Sequence, residues 1–229
     1  MESLGYSYVG KFSGSGKYEM LLVERDGVKY IARVGDELSD YEEQYCRYVS
    51  DCPNVLASTF LKFDRPIALR RFVPRTLCDA LSDRLPEVVL VRVLIDVCRA
   101  LECIHSKNLV YADLKPENIG IEGCSGWLLD TDSLTRPFTK PRFVTPKYAP
   151  PEYHSWGVMV KESDIYQLGL VLSEVSNWCS TAVRQRLEEV AAKLTVENPF
   201  ARPSASNALK MLKGVAKSVF GSSSFSEGS

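Results

Sequence analysis

The sequence predicts an α+β fold, and three observations carry that reading. Residues 6–35 read as paired strands, whereas the chain from Pro86 onward repeats its apolar residues at helical spacing. The change of character falls at a seam near residues 73–76. Strands first and helices after give two differently built units, and the space between such units is a natural ligand pocket.

The elements follow in order. Tyr18 to Val23 is an apolar run, Asp26-Gly27 is a strong hairpin turn, and Val28 to Val34 resumes the strand. Ahead of this hairpin lies Gly10-Lys11-Phe12-Ser13-Gly14-Ser15-Gly16, whose glycines and serines let backbone approach a ligand closely. Ser39-Asp40-Tyr41-Glu42 is a capping-box pattern that opens a helix to about Ser50, and Cys52-Pro53-Asn54 ends it. Strands are expected at 55–63 and 66–73. Pro86 suits a first helical position, and Leu90, Leu94, Val97, Leu101 and Ile104 recur at helical spacing through His105. Further helices are expected at about 163–175, 181–194 and 204–219. The serine-rich tail, 221–229, has too little apolar content to order itself. The expected division is therefore 1–73, 74–220 and the tail.

Composition narrows the function classes. The 229 residues are 45% hydrophobic, enough for a core, and 28 basic against 29 acidic residues give no global charge for nucleic acid or membrane. Seven cysteines without CxxC spacing, and only His105 and His154 as imidazoles, argue against a zinc site and against a disulfide framework. That points to a reducing intracellular compartment, cytoplasmic or nuclear. The first residues do not read as a signal peptide, and no apolar run approaches the roughly 20 residues of a membrane span. A monomer is the expectation.

The chemistry is concentrated in Tyr111-Ala112-Asp113-Leu114-Lys115-Pro116-Glu117-Asn118, followed by Asp130. Phosphoryl transfer needs a carboxylate to orient a hydroxyl, a lysine to meet the moving group, and an amide and second carboxylate to hold magnesium. Asp113, Lys115, Asn118 and Asp130 supply that set in that order, and the segment resembles the catalytic loop of serine/threonine protein kinases. The resemblance runs from about residue 6 to 212. Thr145-Pro146-Lys147-Tyr148-Ala149-Pro150-Pro151-Glu152 is similar to the end of a kinase activation loop. Glu152 and Arg202 match that family's buried ion pair, and Asp164 its brace for the catalytic loop. The resemblance implies a reduced two-lobed kinase-like fold, with a small β-rich N-lobe and a helical C-lobe. It also implies ATP with magnesium or manganese, and a protein substrate. Asp113 and Lys115 would be catalytic, Asn118 and Asp130 would hold metal, and Thr145 would lie on the substrate side. Gly14, Gly16, Arg33 and Glu43 would face the nucleotide.

The departures from the pattern are as informative. Arg33 stands where the family has a lysine, with Glu43 as its expected helix partner, and a planar guanidinium is not a neutral exchange at a crowded phosphate. Aligned from Arg33, only Gly16 falls on a family glycine position. Asp130-Thr131-Asp132 replaces Asp-Phe-Gly, and neither Thr131 nor Arg47, one turn after Glu43, fills the usual apolar packing position. Ala112 replaces the arginine that would pair with a phosphorylated activation loop. Two readings stay open: an active minimal serine/threonine kinase, and a pseudokinase that binds or scaffolds without phosphotransfer. Arg70, Arg71 and Arg75 near the seam hint at an acidic contact, beside the blander reading of a solvated charged edge.

Overall fold

The computed structural model describes residues 1–12, 19–35, 38 and 40–221. The expectations for Gly14, Gly16, the Ser39 cap and the tail beyond Gly221 lie outside those residues.

The sheet is set by its tightest turn. Asp26 and Gly27 have φ of 52° and 76°, the left-handed pair that a two-residue hairpin requires. That turn fixes β2 (Glu19–Arg25) against β3 (Val28–Val34), from Arg25↔Val28 to Glu19↔Val34. β1 (Ser7–Lys11) pairs with β2, β5 (Ile67–Arg71) with β3, and β4 (Thr59–Leu61) with β5. The result is an antiparallel sheet of order β1-β2-β3-β5-β4. β4 is shorter than the run expected at 55–63, where Val55 makes only an isolated bridge, to Leu128, and β5 is shorter than the run expected at 66–73. Alternation sends Val23, Ala32, Ile67 and Leu69 into a small core on one face. Met20, Ile31, Arg33, Ala68 and Arg70 therefore occupy the other face, which lines a cleft.

α1 (Asp40–Val49) follows the sheet, and its buried positions are Glu42, Cys46 and Val49. The helical part is organised by α3 (Glu87–Ser106), whose Leu90, Leu94, Val97, Leu101 and Ile104 are all buried. α5 (Lys161–Ser176) and α7 (Ala205–Phe220) pack against it, and α6 (Thr181–Leu194) packs against α5 and α7, all at nearly the expected positions. Gly169 lets α5 and α6 approach closely, since a Cβ there would lie 2.9 Å from the Leu194 Cβ. Four elements add to the expected set. α2 (Leu77–Ser82) is opened by a Thr76–Asp79 capping box. β6 (Ile119–Glu122) and β7 (Ser125–Leu128) form a hairpin after the catalytic loop, and α4 (Pro151–Trp156) starts at the Pro150-Pro151 pair.

Cys52, just past α1, forms a disulfide with Cys103 of α3, a single bond rather than a framework, but one that weakens the cysteine argument for a reducing compartment. The spacing signal failed because the partners are 51 residues apart and meet only through tertiary packing. Among the described residues no helix is long and apolar enough to cross a membrane.

Candidate active site

A cleft of about 660 Å³ lies between the sheet and the helical part. Its sheet side carries Met20, Ile31, Arg33, Ala68 and Arg70. Its other side carries Asp113, Lys115, Asn118, Leu129, Asp130, Asp132 and Thr145.

The Asp113 loop is held by an unusually complete set of backbone contacts. Asp164, fully buried on α5, accepts the Tyr111 and Ala112 N–H groups at 2.8 Å each, and its carboxylate lies 2.8 Å from His105 Nε2. One turn on, Gln167 donates to the Ala112 carbonyl at 3.0 Å and accepts from the Leu114 N–H at 3.0 Å. These contacts hold Ala112 at φ 72°, a left-handed conformation that costs an alanine of order 1 kcal/mol. Tyr111 is completely buried, and its hydroxyl accepts the Asp130 N–H at 3.3 Å, tying this loop to the next acidic turn. The sequence reading missed Gln167, His105 and the Tyr111 hydroxyl. Only the Asp164–Gln167 spacing, i and i+3 on one helix face, could have suggested any of them.

On that frame the polar groups converge. Lys115 Nζ donates to Asp113 Oδ2 and to Thr145 Oγ1, both at 2.7 Å, and the Thr145 N–H donates to Asp113 Oδ1 at 2.9 Å. Asn118 Nδ2 donates to the Asp113 carbonyl at 2.9 Å, which leaves its Oδ1 as the remaining acceptor. Asn118 and Asp130 thus present hard oxygens to one cavity, the donor type that magnesium prefers, so the residues fit such an ion. Among the described residues no group of three or more His, Cys, Asp or Glu forms a self-sufficient metal cage. Any ion here needs oxygens from its ligand as well.

The sheet side differs from expectation. Arg33 is 9% exposed and pairs with Glu42, not Glu43, and its Nη1 donates to Asp132 Oδ2 at 2.9 Å. Glu43 instead pairs with exposed Arg47 at 2.7 Å and Lys62 at 3.8 Å. The helical period explains this correction. From Glu42, steps of four and seven reach Cys46 and Val49, a face that can be buried, whereas from Glu43 they reach Arg47 and Ser50. Cys46 therefore faces the Asp130 turn, and its Sγ lies 2.9 Å from Thr131 Oγ1. Two small buried side chains meet where Arg47 and Thr131 had been expected to leave the packing unfilled. Arg142 of the 133–150 segment donates to the second oxygen of Glu42 at 3.1 Å, so α1 is linked to that segment without a phosphate. Burial and the neighbouring Asp130 carboxylate push the Asp132 carboxyl up to about 7, against the opposing pull of Arg33.

The supporting ion pair lies behind the site. Arg202 donates to both oxygens of Glu152 at 2.7 and 2.8 Å, with both side chains buried, and Ser163 Oγ adds a third bond at 2.6 Å. The three seam arginines do not form a common edge. Arg71 makes a two-pronged pair with Glu122, Arg75 binds Asp83 at 2.9 Å, and Arg70 lines the cleft.

This two-part architecture, with its acidic and lysine-bearing loop under an antiparallel sheet, is that of a reduced two-lobed kinase fold. The protein kinase domain model matches residues 55–195, and the chain belongs to that family. It is 30% identical over 139 residues to cAMP-dependent protein kinase type 3 of Saccharomyces cerevisiae, covering 57% of this chain and 35% of that protein. A match to serine/threonine-protein kinase RUNKEL of Arabidopsis thaliana is 34% identical over 99 residues, 40% of this chain and 7% of that protein. A match to serine/threonine-protein kinase SBK1 of Danio rerio is 25% identical over 179 residues, 69% of this chain and 46% of that protein. The matched stretch spans less than half the length of each of these relatives. Protein kinase domains in general use ATP and a divalent metal.

Proposed function

We propose that this chain is a serine/threonine protein kinase that transfers the γ-phosphate of ATP, with magnesium, to a protein hydroxyl. The observation that carries the reading is the joined set of Asp113, Lys115 and Thr145, with Asn118 and Asp130 in the same cleft. Asp113 orients the substrate hydroxyl and takes its proton as the oxygen bonds to the γ-phosphorus and the bond to the leaving ADP oxygen breaks. Lys115 donates to the oxygens of the moving group. Asn118 and Asp130 would hold the metal, which would neutralise phosphate charge when bound. Thr145, bonded to both Asp113 and Lys115, keeps the acceptor side in register. The lysine two residues after Asp113 favours a serine or threonine acceptor, and the matched relatives named as serine/threonine kinases agree.

The second reading, a pseudokinase, rests on Arg33, whose guanidinium is already engaged by two carboxylates. Transfer of labelled γ-phosphate to a mixed protein extract and to the chain itself, beside Asp113→Asn, separates the two. Label on serine or threonine that vanishes in the variant is the expected result. No transfer by the wild type while nucleotide still binds would leave the pseudokinase.

A further inference from the structure

The motif assigns the nucleotide phosphates to Arg33, but that side chain is turned to Glu42 and Asp132. A second guanidinium lines the same cleft. Arg70 lies opposite Ile31 in the β3–β5 ladder, diagonal to Arg33, on the sheet face that borders the cleft. It makes no hydrogen bond or ion pair with any described residue. A guanidinium carries five donors and keeps its proton, and this one, half-buried in the cleft wall, has them open to a ligand. Its burial depresses its pKa, and the Asp130 carboxylate pulls in the other direction.

Asp130 is the complementary case. Its Oδ1 accepts the Asp132 N–H, at 3.3 Å, its carboxylate faces that of Asp132, and no cation among the described residues lies within ion-pair distance. The two groups attract each other across a gap wider than an ion pair. A carboxylate without a cation and a guanidinium without an anion, among the described residues, suit a metal ion bridged to a phosphate, with metal on the one and phosphate oxygen on the other.

We propose that Arg70, not Arg33, is the cation that binds the triphosphate in this cleft, while Arg33 holds α1 in place through Glu42. The inference rests on the ATP reading above and names a contact that reading does not supply. Nothing about Arg70 requires contact with the base.

The test is equilibrium binding of Mg·ATP and of adenosine to the full chain, for the wild type, Arg70→Ala, Arg70→Met, Arg70→Lys and Arg33→Ala. Arg70→Met keeps the length of the stem and guards against collapse of the wall. Loss of a charged hydrogen-bond donor should weaken Mg·ATP by about tenfold or more in Arg70→Ala and Arg70→Met, with adenosine within about twofold of wild type. Arg70→Lys should recover part of the loss, and Arg33→Ala should weaken Mg·ATP by less than about threefold. An equal loss for adenosine and Mg·ATP would overturn the proposal, as would a larger effect from Arg33 than from Arg70. A wild type that binds no nucleotide sinks the ATP reading and this one together. A wild type that transfers phosphate while the Arg70 variants keep full Mg·ATP affinity sinks this one alone.

Discussion

The two walls of the cleft are built by different rules. The wall below the sheet takes Asp113, Lys115 and Asn118 from a loop, 111–118, fastened to one helix by Asp164 and Gln167 through backbone hydrogen bonds. The sheet wall is joined to the rest by side-chain ion pairs between residues up to 100 positions apart, Arg33 with Asp132 and Arg142 with Glu42. A backbone brace does not depend on the side chain at the braced position. Tyr111 and Ala112 can therefore stand where the family has His and Arg without moving Asp113. An ion-pair wall has no such tolerance, because changing one partner changes who pairs with whom. Here it carries arginine, glutamate and aspartate in a new arrangement.

The largest expected effect breaks the buried ion pair of the helical part. Glu152→Gln leaves Arg202 buried without its counter-charge and should cost about 3–5 kcal/mol of stability, read by denaturant melts. Its pH signature has a fixed sign. Burial alone would raise the Glu152 carboxyl, but bonds from Arg202 and Ser163 outweigh it and hold the folded pKa below the ordinary value. The stabilisation is thus present above about pH 4.3 and is lost as pH falls through the lower folded value. The variant should show a flatter acid limb than the wild type.

The next effect sharpens the contrast on the sheet wall. Glu42→Gln removes the charge that Arg33 and Arg142 share, and phosphotransfer should fall by about a hundredfold. Glu43→Gln, which loses only exposed partners, should stay within about twofold. The opposite order would restore the register expected from sequence. Smaller again is Gln167→Ala, which leaves the Leu114 N–H and Ala112 carbonyl unsatisfied and should cost about 1–3 kcal/mol in melts. With Ala112 less firmly held, transfer should drop while Mg·ATP affinity holds. Equal losses in both would mean that Gln167 supports the whole wall rather than the loop.

How much was legible in the sequence follows the same division. The Asp113 loop, Thr145, Glu152, Asp164 and Arg202 could be named from sequence because each sits in a short contiguous motif. The hairpin and the long helices were found because Asp26-Gly27 and the spacing of Leu90 to Ile104 are local signals. Short elements such as α2 and β6–β7 escaped, since their stability comes from packing on α3 and on the catalytic loop. The Arg33 partner was misplaced by one residue although the helical period of Glu42, Cys46 and Val49 was there to read. The Arg33–Asp132 pair and the Cys52–Cys103 bond were beyond sequence reasoning, because each depends on what the chain brings near from far away.

The central claim is that the braced loop performs chemistry rather than displaying its remains. Its most direct test measures, on one preparation, Mg·ATP affinity and single-turnover γ-phosphate transfer for the wild type and Asp113→Asn. The account predicts affinity within about threefold and transfer lower by about a thousandfold or more in the variant, since Asp113 acts on the hydroxyl and not on the nucleotide. Transfer by Asp113→Asn within about tenfold of the wild type would contradict it.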